Sequence, residues 1–349
     1  MTPHPAQDLA DALGALGRDP EARAQIVAVM KEYERRPEHR FTTVREEVTG
    51  PITDELYGSV ATVRKELANG LVIEFPYRSK IARDFILSHP DKPDHVWEPQ
   101  TTKLLLHLCA GARDAIIGGA YFGDHVILMA DAMRGRGICH AFEPDPVQAA
   151  MLERNAALNS LENVHVMPLA LWKDAVSRLT FVGEDALASA VASDEGVSTT
   201  SIDAYAEEHG IGCVGLIMLD LEGAELAVLQ GAERVLRRDR PNLVFEVHRS
   251  YVDWSGGLRD IEIVRHLAAL GYILFAIRDF QSNVDLGDRP VELVPLDTAW
   301  LDGPPHGFNL VAVSDPAVLE GDRFRVTPNV SPKLLLHRDP RLHHPTGGL

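Results

Sequence analysis

Apolar segments of two kinds alternate along residues 99–314. Short apolar runs predict buried strands, and the clearest are "DAIIGGAYFG", "GICHAFEPD", "NVHVMPLALW", "GLIMLDLEG", "PNLVFEVHRS", "YILFAIRD" and "FNLVAVS". Between them, stretches such as "PVQAAMLERNAALNS" and "AELAVLQGAERVLRRD" repeat apolar residues every three to four positions, which predicts helices. Strands that alternate with helices in this way predict an α/β fold, with a mostly parallel sheet covered by helices on both faces.

The segments before this region have a different pattern. Residues 7–36 carry apolar positions at near-helical spacing, interrupted at "GRDPEA", where Asp19 can cap a second helix that begins at Pro20. This predicts a helical hairpin that packs on the main domain or on another subunit. Residues 41–98 contain pieces such as "GLVIEFPYRS", which predict strands or a β-hairpin before a linker.

These patterns divide the chain into three parts. Residues 1–94 form an N-terminal helical and β extension, which we expect to serve in oligomerisation or as a substrate lid. Residues 95–314 form the α/β domain, and residues 315–349 form a Pro-rich C-terminal extension that ends loosely. His337, His343 and His344 in that extension fit a loose tail better than a metal site.

Composition and charge narrow the range of partners. The 349 residues are 45% apolar, enough for one large α/β core with appended regions. The net charge of −17 disfavours nucleic acid and anionic membranes, and it favours a small-molecule partner. The three cysteines lie far apart, which predicts reduced thiols. Because the chain has neither a secretory signal pattern nor an apolar run of about 18 residues, we expect a cytoplasmic protein.

A glycine turn and a later glutamate predict a nucleoside-bearing cofactor. "IIGGAYFGDH" places Gly119 and Gly123 between a strand and a helix, where glycine lets the backbone approach a ligand closely. The next strand ends in "FEPD", and Glu143 there can accept hydrogen bonds from both hydroxyls of a ribose. The spacing G-x-x-x-G suits S-adenosyl-L-methionine better than a dinucleotide, which prefers G-x-G-x-x-G. An NAD(P)-dependent oxidoreductase remains an alternative function. The glycines can also be interpreted as residues that only tighten the turn between the strand and the helix.

Acidic residues follow two later strands. "LIMLDLEGAELAVLQGA" leaves its strand at Asp220, with Glu222 and Glu225 close behind, and ligands of α/β proteins bind at such carboxyl ends. We expect a functional role for Asp220 and a structural role at a helix start for Glu225. For Glu222, a functional role and a structural role are equally supported. The following strand ends in "FEVHRS", which places Glu246 and His248 on one face.

In order and spacing, six segments resemble the FkbM family of S-adenosylmethionine-dependent methyltransferases. They are "IIGGAYFGDHVIL", "AFEPDPVQAAMLERNAALN", "NVHVMPLALW", "STTSIDAYAEEHG", "LIMLDLEGAELAVLQGA" and "PNLVFEVH". The resemblance covers about residues 95–314, and "DLEGAELAVLQGA" is its most specific part. It implies a class I methyltransferase (Rossmann-like) fold, a seven-stranded sheet with an antiparallel last strand, and O-methylation of a hydroxyl on a sugar or a secondary metabolite. One position departs from the family, because Ile117 stands where an acidic residue is common.

The resemblance also implies which residues contact the cofactor. Its methionine moiety would lie at Gly119, Ala120 and Gly123, its ribose at Glu143, its adenine near Asp145 and Ala170, and its methyl group beside Asp220. "VWEPQTT" is similar to the family's lead-in helix, so Glu98 and Thr101 would close over the amino-acid end of the cofactor. A simple helix cap is the alternative interpretation of these two residues.

The family fold implies adjacent fourth and fifth strands, which would bring Asp220, Glu246 and His248 to one pocket. In one mechanism, His248 is the general base that removes the proton of the acceptor hydroxyl. In another, Asp220, Glu246 and His248 hold a divalent cation such as Mg²⁺ that lowers the pKa of that hydroxyl. A third interpretation makes Glu246 and His248 a hydrogen-bonded structural pair.

The acceptor is expected to be a small hydroxylated molecule. Residues on loops at the carboxyl edge are candidates to contact it, and each can equally be packing: Tyr121, Phe122, Tyr251, Trp254 and His306. Besides the oxidoreductase, a catalytically silent cofactor-binding protein remains an alternative because of Ile117. A homo-oligomer would form through the N-terminal helices.

Overall fold

The computed structural model describes residues 5–39, 43–79, 81–182, 189–193, 196–280, 287–301 and 307–334. Its α-helices are α1 (Pro5–Gly17), α2 (Pro20–Glu34), α3 (Gly50–Tyr57), α4 (Ala82–Ile86), α5 (Pro99–Cys109), α6 (Val126–Ala132), α7 (Pro146–Leu158), α8 (Ile202–Glu208), α9 (Glu225–Gln230), α10 (Glu233–Asp239) and α11 (Glu262–Ala269). Its strands are β1 (Thr62–Glu66), β2 (Val72–Pro76), β3 (Asp114–Gly118), β4 (Ile138–Phe142), β5 (Val164–Met167), β6 (Ala170–Leu171), β7 (Arg178–Val182), β8 (Ser189–Ser193), β9 (Val197–Thr200), β10 (Val214–Leu219), β11 (Asn242–His248), β12 (Ile273–Ile277), β13 (Asp279–Phe280), β14 (Val291–Pro295), β15 (Gly307–Val313), β16 (Phe324–Val326) and β17 (Lys333–Leu334).

The largest sheet in the described ranges has nine strands, in the order β16-β14-β12-β15-β11-β10-β3-β4-β5. Neighbouring strands from β5 to β11 are parallel, whereas β15 lies antiparallel between β11 and β12. The seven strands from β5 to β12 therefore form a class I methyltransferase sheet with an antiparallel last strand, and this prediction is confirmed. β14 and β16 extend the sheet at the β12 edge.

Both faces of this sheet are buried. Ile117 and Met218 pack in one core cluster, which includes Ile127 of α6 and Leu152 of α7. Their neighbours along the strands pack in a second cluster with side chains of α8, α9 and α11. Because successive side chains of a strand point to opposite faces, helices cover the sheet on both sides, as the alternating pattern predicted.

The N-terminal extension packs on the α/β domain. α1 and α2 form the predicted helical hairpin, and Asp19 caps α2. β1 and β2 form an antiparallel β-hairpin. Asn155 of α7 holds β2 by donating to the carbonyl of Glu74 at 2.8 Å and accepting from its N–H at 2.7 Å. Residues 45–57 are helical, however, where strands were predicted: Arg45–Thr49 form a π-helical turn, and α3 follows with Pro51 in its first turn, a position that suits proline.

Several predicted elements are divided in the structure. "NVHVMPLALW" forms β5 and β6. β7, β8 and β9 follow where no strand was predicted, and they form a second sheet with β6. The helix predicted from residue 224 to 239 breaks at Gly231, where a β-carbon would lie 2.5 Å from the carbonyl oxygen of Trp172. β14 was not predicted.

The C-terminal extension continues the fold through residue 334, where the sequence predicted a loose segment. β16 pairs with β14, and β17 pairs with β13 just beyond the carboxyl end of β12. The N–H of Asp279 donates to the carbonyl of Pro332 at 2.9 Å. The three histidines of the tail, His337, His343 and His344, lie outside the described residues. Within the described ranges, no helix has the length and apolar composition of a membrane span.

Candidate active site

Three parallel strands end at one rim. The N–H of Asp220 donates to the carbonyl of Gly118 at 3.1 Å, and the N–H groups of Gly119 and Ala120 both donate to the carbonyl of Phe142 at 3.1 Å. Gly119 has φ +74°, and a β-carbon there would lie 1.9 Å from the carbonyl oxygen of Asp220. The glycine turn therefore touches the backbone of Asp220, and only glycine fits at this contact.

Glu143 lies beside the same turn. Its two carboxylate oxygens accept from the N–H of Tyr121 at 2.8 Å and from the N–H of Asp145 at 3.0 Å. Burial raises the pKa of Glu143 to about 7, although these two hydrogen bonds oppose the rise. Glu143 is thus a buried carboxylate whose ionised form would gain from further hydrogen-bond donors.

The other residues expected around the cofactor have visible structural tasks. A β-carbon at Gly123 would lie 2.5 Å from Leu152 of α7, so the packing of that helix requires glycine. Asp145 caps α7 by accepting from two N–H groups of its first turn, at 2.8 Å and 3.0 Å. Ala170 is buried in β6. Their contacts with an adenine or a methionine moiety remain predictions.

A group of three carboxylates lies at the rim. Asp220, Glu222 and Glu246 each place an oxygen within 4.8 Å of the other two. Glu222 reaches this group because its backbone adopts φ +49°, which is unusual for a residue other than glycine. The predicted meeting of Asp220 and Glu246 is therefore present, but Glu222 completes the group instead of His248.

His248 is held at the edge of the group. Its Nδ1 accepts from the N–H of Ser250 at 3.1 Å, and its ring lies 5.5 Å from that of Tyr251. Because Nδ1 is an acceptor in this bond, a neutral imidazole carries its hydrogen on Nε2. Burial and the nearby Glu222 raise the pKa of Tyr251.

Glu225 turns back into its own loop, as the structural interpretation predicted. Its carboxylate accepts from the N–H of Leu221 at 2.7 Å and from that of Gly223 at 3.1 Å. Burial raises the pKa of Glu225 to about 8, and the charges of Asp220 and Glu222 add to the rise. Glu225 thereby shapes the segment that carries Glu222.

The antiparallel strand β15 contributes two residues that the sequence analysis missed. A β-carbon at Gly307 would lie 2.3 Å from Oε1 of Glu246, so glycine leaves room for that carboxylate. Asn309 is paired with Glu246 in the β11–β15 register. Both follow residues 302–306, which lie outside the described structure, so the predicted acceptor contact His306 has no observed position. Neither residue belongs to a recognisable motif, and only the strand pairing reveals them.

Comparison with known proteins finds one family model that matches part of the chain. Residues 118–274 match the family model described as the methyltransferase FkbM domain. Residues 118–274, slightly less than half of the chain, are thus similar to an FkbM methyltransferase domain. The matched residues include the glycine turn and all three members of the carboxylate group. No curated protein matches the chain significantly.

Solved structures resemble the chain weakly. An FkbM methyltransferase from Methylobacillus flagellatus KT has 14% identity and a TM-score of 0.36, covering 58% of this chain and 43% of its own length. An O-methyltransferase from Bacillus cereus, in complex with SAH, has 14% identity and a TM-score of 0.36, covering 62% and 81%. The O-methyltransferase TomG from Streptomyces achromogenes, involved in tomaymycin synthesis and in complex with SAM, has 13% and 0.35, covering 62% and 80%. At such scores, the strand order alone defines the fold.

A buried polar network lies outside the residues that match the FkbM domain. Glu98 precedes α5 with φ +45°, and its carboxylate accepts from Nζ of Lys333 at 2.6 Å and from the amide of Asn309. Asp279 caps α5, accepting from the N–H groups of Gln100 at 3.1 Å and Thr101 at 2.6 Å. Glu98 therefore occupies the N-cap position of α5, but its side chain makes no capping hydrogen bond.

An open groove of about 970 Å³ lies along the loop that follows β11. Its walls include Tyr251, Trp254 and Trp300, and Trp254 packs on Phe308 with ring centroids 5.4 Å apart. Tyr121 lies within the glycine turn, between Gly119 and Gly123, whereas Phe122 is buried against Phe75 and belongs to the core. The interpretation of Phe122 as packing is thus the correct one.

Proposed function

We propose that this protein is an S-adenosylmethionine-dependent O-methyltransferase that acts on a hydroxyl of a small molecule. The observation that carries the proposal is the meeting of Gly119, Glu143 and Asp220 at one rim of a region similar to an FkbM methyltransferase domain. In open α/β sheets, ligands bind outside the carboxyl ends of the strands, which is where these residues lie.

The rim fits this cofactor. Glu143 is buried and offers two acceptor oxygens to the hydroxyls of a ribose, and Gly119 keeps the turn beside Asp220 free of a side chain. When bound, S-adenosylmethionine supplies a methyl group that is already activated on a sulfonium. The tasks of the protein are then to hold the acceptor hydroxyl in line with that methyl group and to exclude water.

For activation of the acceptor, the geometry favours a divalent cation over His248. The carboxylates of Asp220, Glu222 and Glu246 repel one another unless protons or a cation neutralise them, and carboxylates are the ligands that Mg²⁺ prefers. A cation held there would lower the pKa of the acceptor hydroxyl. His248 engages Nδ1 with Ser250, so it is less suited to take up a proton.

Chelation separates these two mechanisms. If the carboxylate group holds a cation, EDTA treatment should abolish methyl transfer, and added Mg²⁺ or Mn²⁺ should restore it. Activity that is indifferent to EDTA would leave His248 as the base. A His248→Gln variant is the matched control, because it keeps a hydrogen-bonding side chain but cannot act as a base near neutral pH.

Calorimetric titration tests the cofactor. We expect S-adenosylhomocysteine to bind with a micromolar or lower Kd and NAD to show no binding. Tight NAD binding would favour the oxidoreductase alternative, and an absence of affinity for both would favour a protein with another ligand. Methyl transfer from labelled cofactor to a panel of hydroxylated metabolites, sugars included, would identify the acceptor. Binding of S-adenosylhomocysteine without any transfer would support the catalytically silent alternative.

A further inference from the structure

The C-terminal extension delivers a buried ammonium group to the site. Lys333 has a side chain that is 2% exposed, and its strand β17 pairs with β13. Ser331 accepts from the N–H of Lys333 at 3.4 Å and donates to its carbonyl at 3.0 Å. The segment is thus held on both sides of Lys333, and its ammonium group has a fixed position.

The ion pair of Lys333 and Glu98 is not explained by the needs of the fold. Buried ion pairs contribute little net stability, since desolvation offsets their attraction, and apolar residues of similar volume are often as good. Glu98 is also unnecessary as a helix cap, because Asp279 caps α5. Two buried charges at this position therefore point to a task beyond packing.

Glu98 lies between the two halves of the proposed site. On one side, Thr102 of α5 contacts Nδ1 of His125 at 3.2 Å, and His125 stands directly before α6, behind the glycine turn. On the other side, Asn309 donates to Glu98, and its strand position is opposite Glu246. The carboxylate of Glu98 is close enough to Asp124 and His125, which follow the glycine turn, to interact with their charges. The resemblance implies that the amino-acid end of the cofactor would lie at this turn.

We propose that Lys333 is a positioning residue for the cofactor, which keeps Glu98 ionised and oriented toward the ammonium group of S-adenosylmethionine. This assignment rests on the proposed function. It makes the C-terminal extension part of the cofactor site, although that extension lies outside the FkbM domain match. It also supplies a carboxylate for the cofactor's amino group in a chain that has Ile117 where the family commonly has an acid.

The charged groups around Glu98 determine how the loss of Lys333 would change the ionisation of Glu98. Burial opposes ionisation of Glu98, yet Lys333, with His125 and the bond from Asn309, holds the pKa of its carboxyl below the usual range. The carboxyl groups of Asp279 and Asp124 oppose its ionisation, and Lys333 also senses the charge of Glu246. Without Lys333, burial and these neighbouring acids would dominate and favour a neutral Glu98.

The test is titration of Lys333→Met with S-adenosylhomocysteine by calorimetry from pH 6 to pH 8.5. At pH 7 we expect a Kd about tenfold or more above that of the wild type, because the buried partner of a charge pair is left alone. The Kd should fall again toward the wild-type value as pH rises and Glu98 ionises. A Lys333→Arg variant should recover part of the affinity at pH 7.

Arg325→Met is the control for the alternative that Lys333 only packs the C-terminal extension onto the fold. Arg325 lies in β16 of the same extension and pairs with Glu292, so its loss should affect stability and leave the Kd unchanged. The double variant Glu98→Gln/Lys333→Met removes both charges and allows folding without an unpaired charge. We expect it to bind weakly at every pH. A wild-type Kd in folded Lys333→Met or in the double variant would overturn the assignment and leave the proposed function standing. Absence of binding by the wild type would overturn both.

Discussion

At the residue scale, similar carboxylates differ in their surroundings. Asp220, Glu222 and Glu246 face one another, Glu143 accepts from two backbone N–H groups, and Glu225 closes its own loop. The first arrangement places negative charge where it can meet a cation or an acceptor. The other two carboxyl groups are buried, which raises the pKa of each, although the hydrogen bonds from backbone N–H groups oppose the rise. Those hydrogen bonds fix the shape of the rim.

Asp220→Asn should reduce methyl transfer by about a hundredfold or more, because one charged oxygen is lost beside the position proposed for the transferred methyl group. The free energy of unfolding should stay the same or rise slightly, since repulsion from Glu222 and Glu246 is relieved. Initial rates and urea unfolding measure the two effects. Glu153→Gln, an exposed change on α7, is the control. Wild-type rates in Asp220→Asn would remove this residue from the mechanism.

Binding of S-adenosylhomocysteine should tighten between pH 6 and pH 8. In the proposed complex, ribose hydroxyls donate to the ionised form of Glu143, and the pKa of about 7 means that the ionised fraction grows over that interval. The affinity should level off above pH 8, where ionisation is nearly complete. Glu143→Gln should bind more weakly and lose this pH dependence. Calorimetry across the pH range measures both, and an equal slope in the variant would refute the assignment.

At the element scale, the sequence predicts those parts of the site that lie at the carboxyl ends of strands. The order of strands and helices places Gly119, Glu143 and Asp220 at carboxyl ends, and the parallel sheet brings these ends together. Glu222 was not assigned to the carboxylate group because a left-handed backbone at a glutamate is not visible in a sequence. Lys333 was missed because it meets Glu98 across 235 positions, through pairing of two-residue strands that carry little pattern.

Gly119 in the glycine turn and Gly135, which lies outside it, give a matched pair of variants. Gly119 and Gly135 have nearly the same backbone, with φ +74° and φ +72°. A β-carbon at Gly119 would collide with Asp220, whereas one at Gly135 meets nothing within 4 Å. Gly135→Ala should therefore cost only the left-handed penalty of about 1–2 kcal/mol.

Gly119→Ala carries the same left-handed penalty, and its β-carbon would also displace the carbonyl of Asp220 at the end of β10. Its unfolding free energy should fall by more than that of Gly135→Ala, and it should lose binding of S-adenosylhomocysteine. Urea unfolding and calorimetry provide the comparison. Equal stability of the two variants, with binding retained in both, would contradict the close approach of the turn to Asp220.

At the scale of the whole molecule, acidic residues dominate both the composition and the rim. The chain has a net charge of −17, and the described rim contains Asp220, Glu222, Glu225, Glu246 and Glu143. Burying carboxyl groups among like charges costs stability, and this cost grows as they ionise. The stability of the whole fold should therefore report on the state of the site.

Glu225 and Glu143 should each lower the unfolding free energy of the ligand-free protein as pH rises from about 5 to about 8. Burial lowers the pKa values of Lys65, His89 and His140, so these three groups contribute in the opposite direction. Glu225 has a pKa of about 8 when folded and near 4.5 when unfolded, so the folded state binds the extra proton within this window. Stability decreases with pH wherever the folded state holds more protons, by at most ~1.4 kcal/mol per pH unit for one group. Glu143 contributes in the same direction up to about pH 7.

Urea unfolding of Glu225→Gln at pH 5, 6.5 and 8 tests this linkage. From pH 5 to pH 8, the unfolding free energy should fall less, or rise more, in the variant than in the wild type, whereas the exposed change Glu153→Gln should leave the wild-type pH dependence unchanged. Added Mg²⁺ should shift the wild-type pH dependence in the same direction as Glu225→Gln, because a cation at Asp220 and Glu222 removes part of the repulsion that raises the pKa of Glu225. An identical pH dependence in Glu225→Gln and the wild type would show that this carboxyl does not ionise within the window.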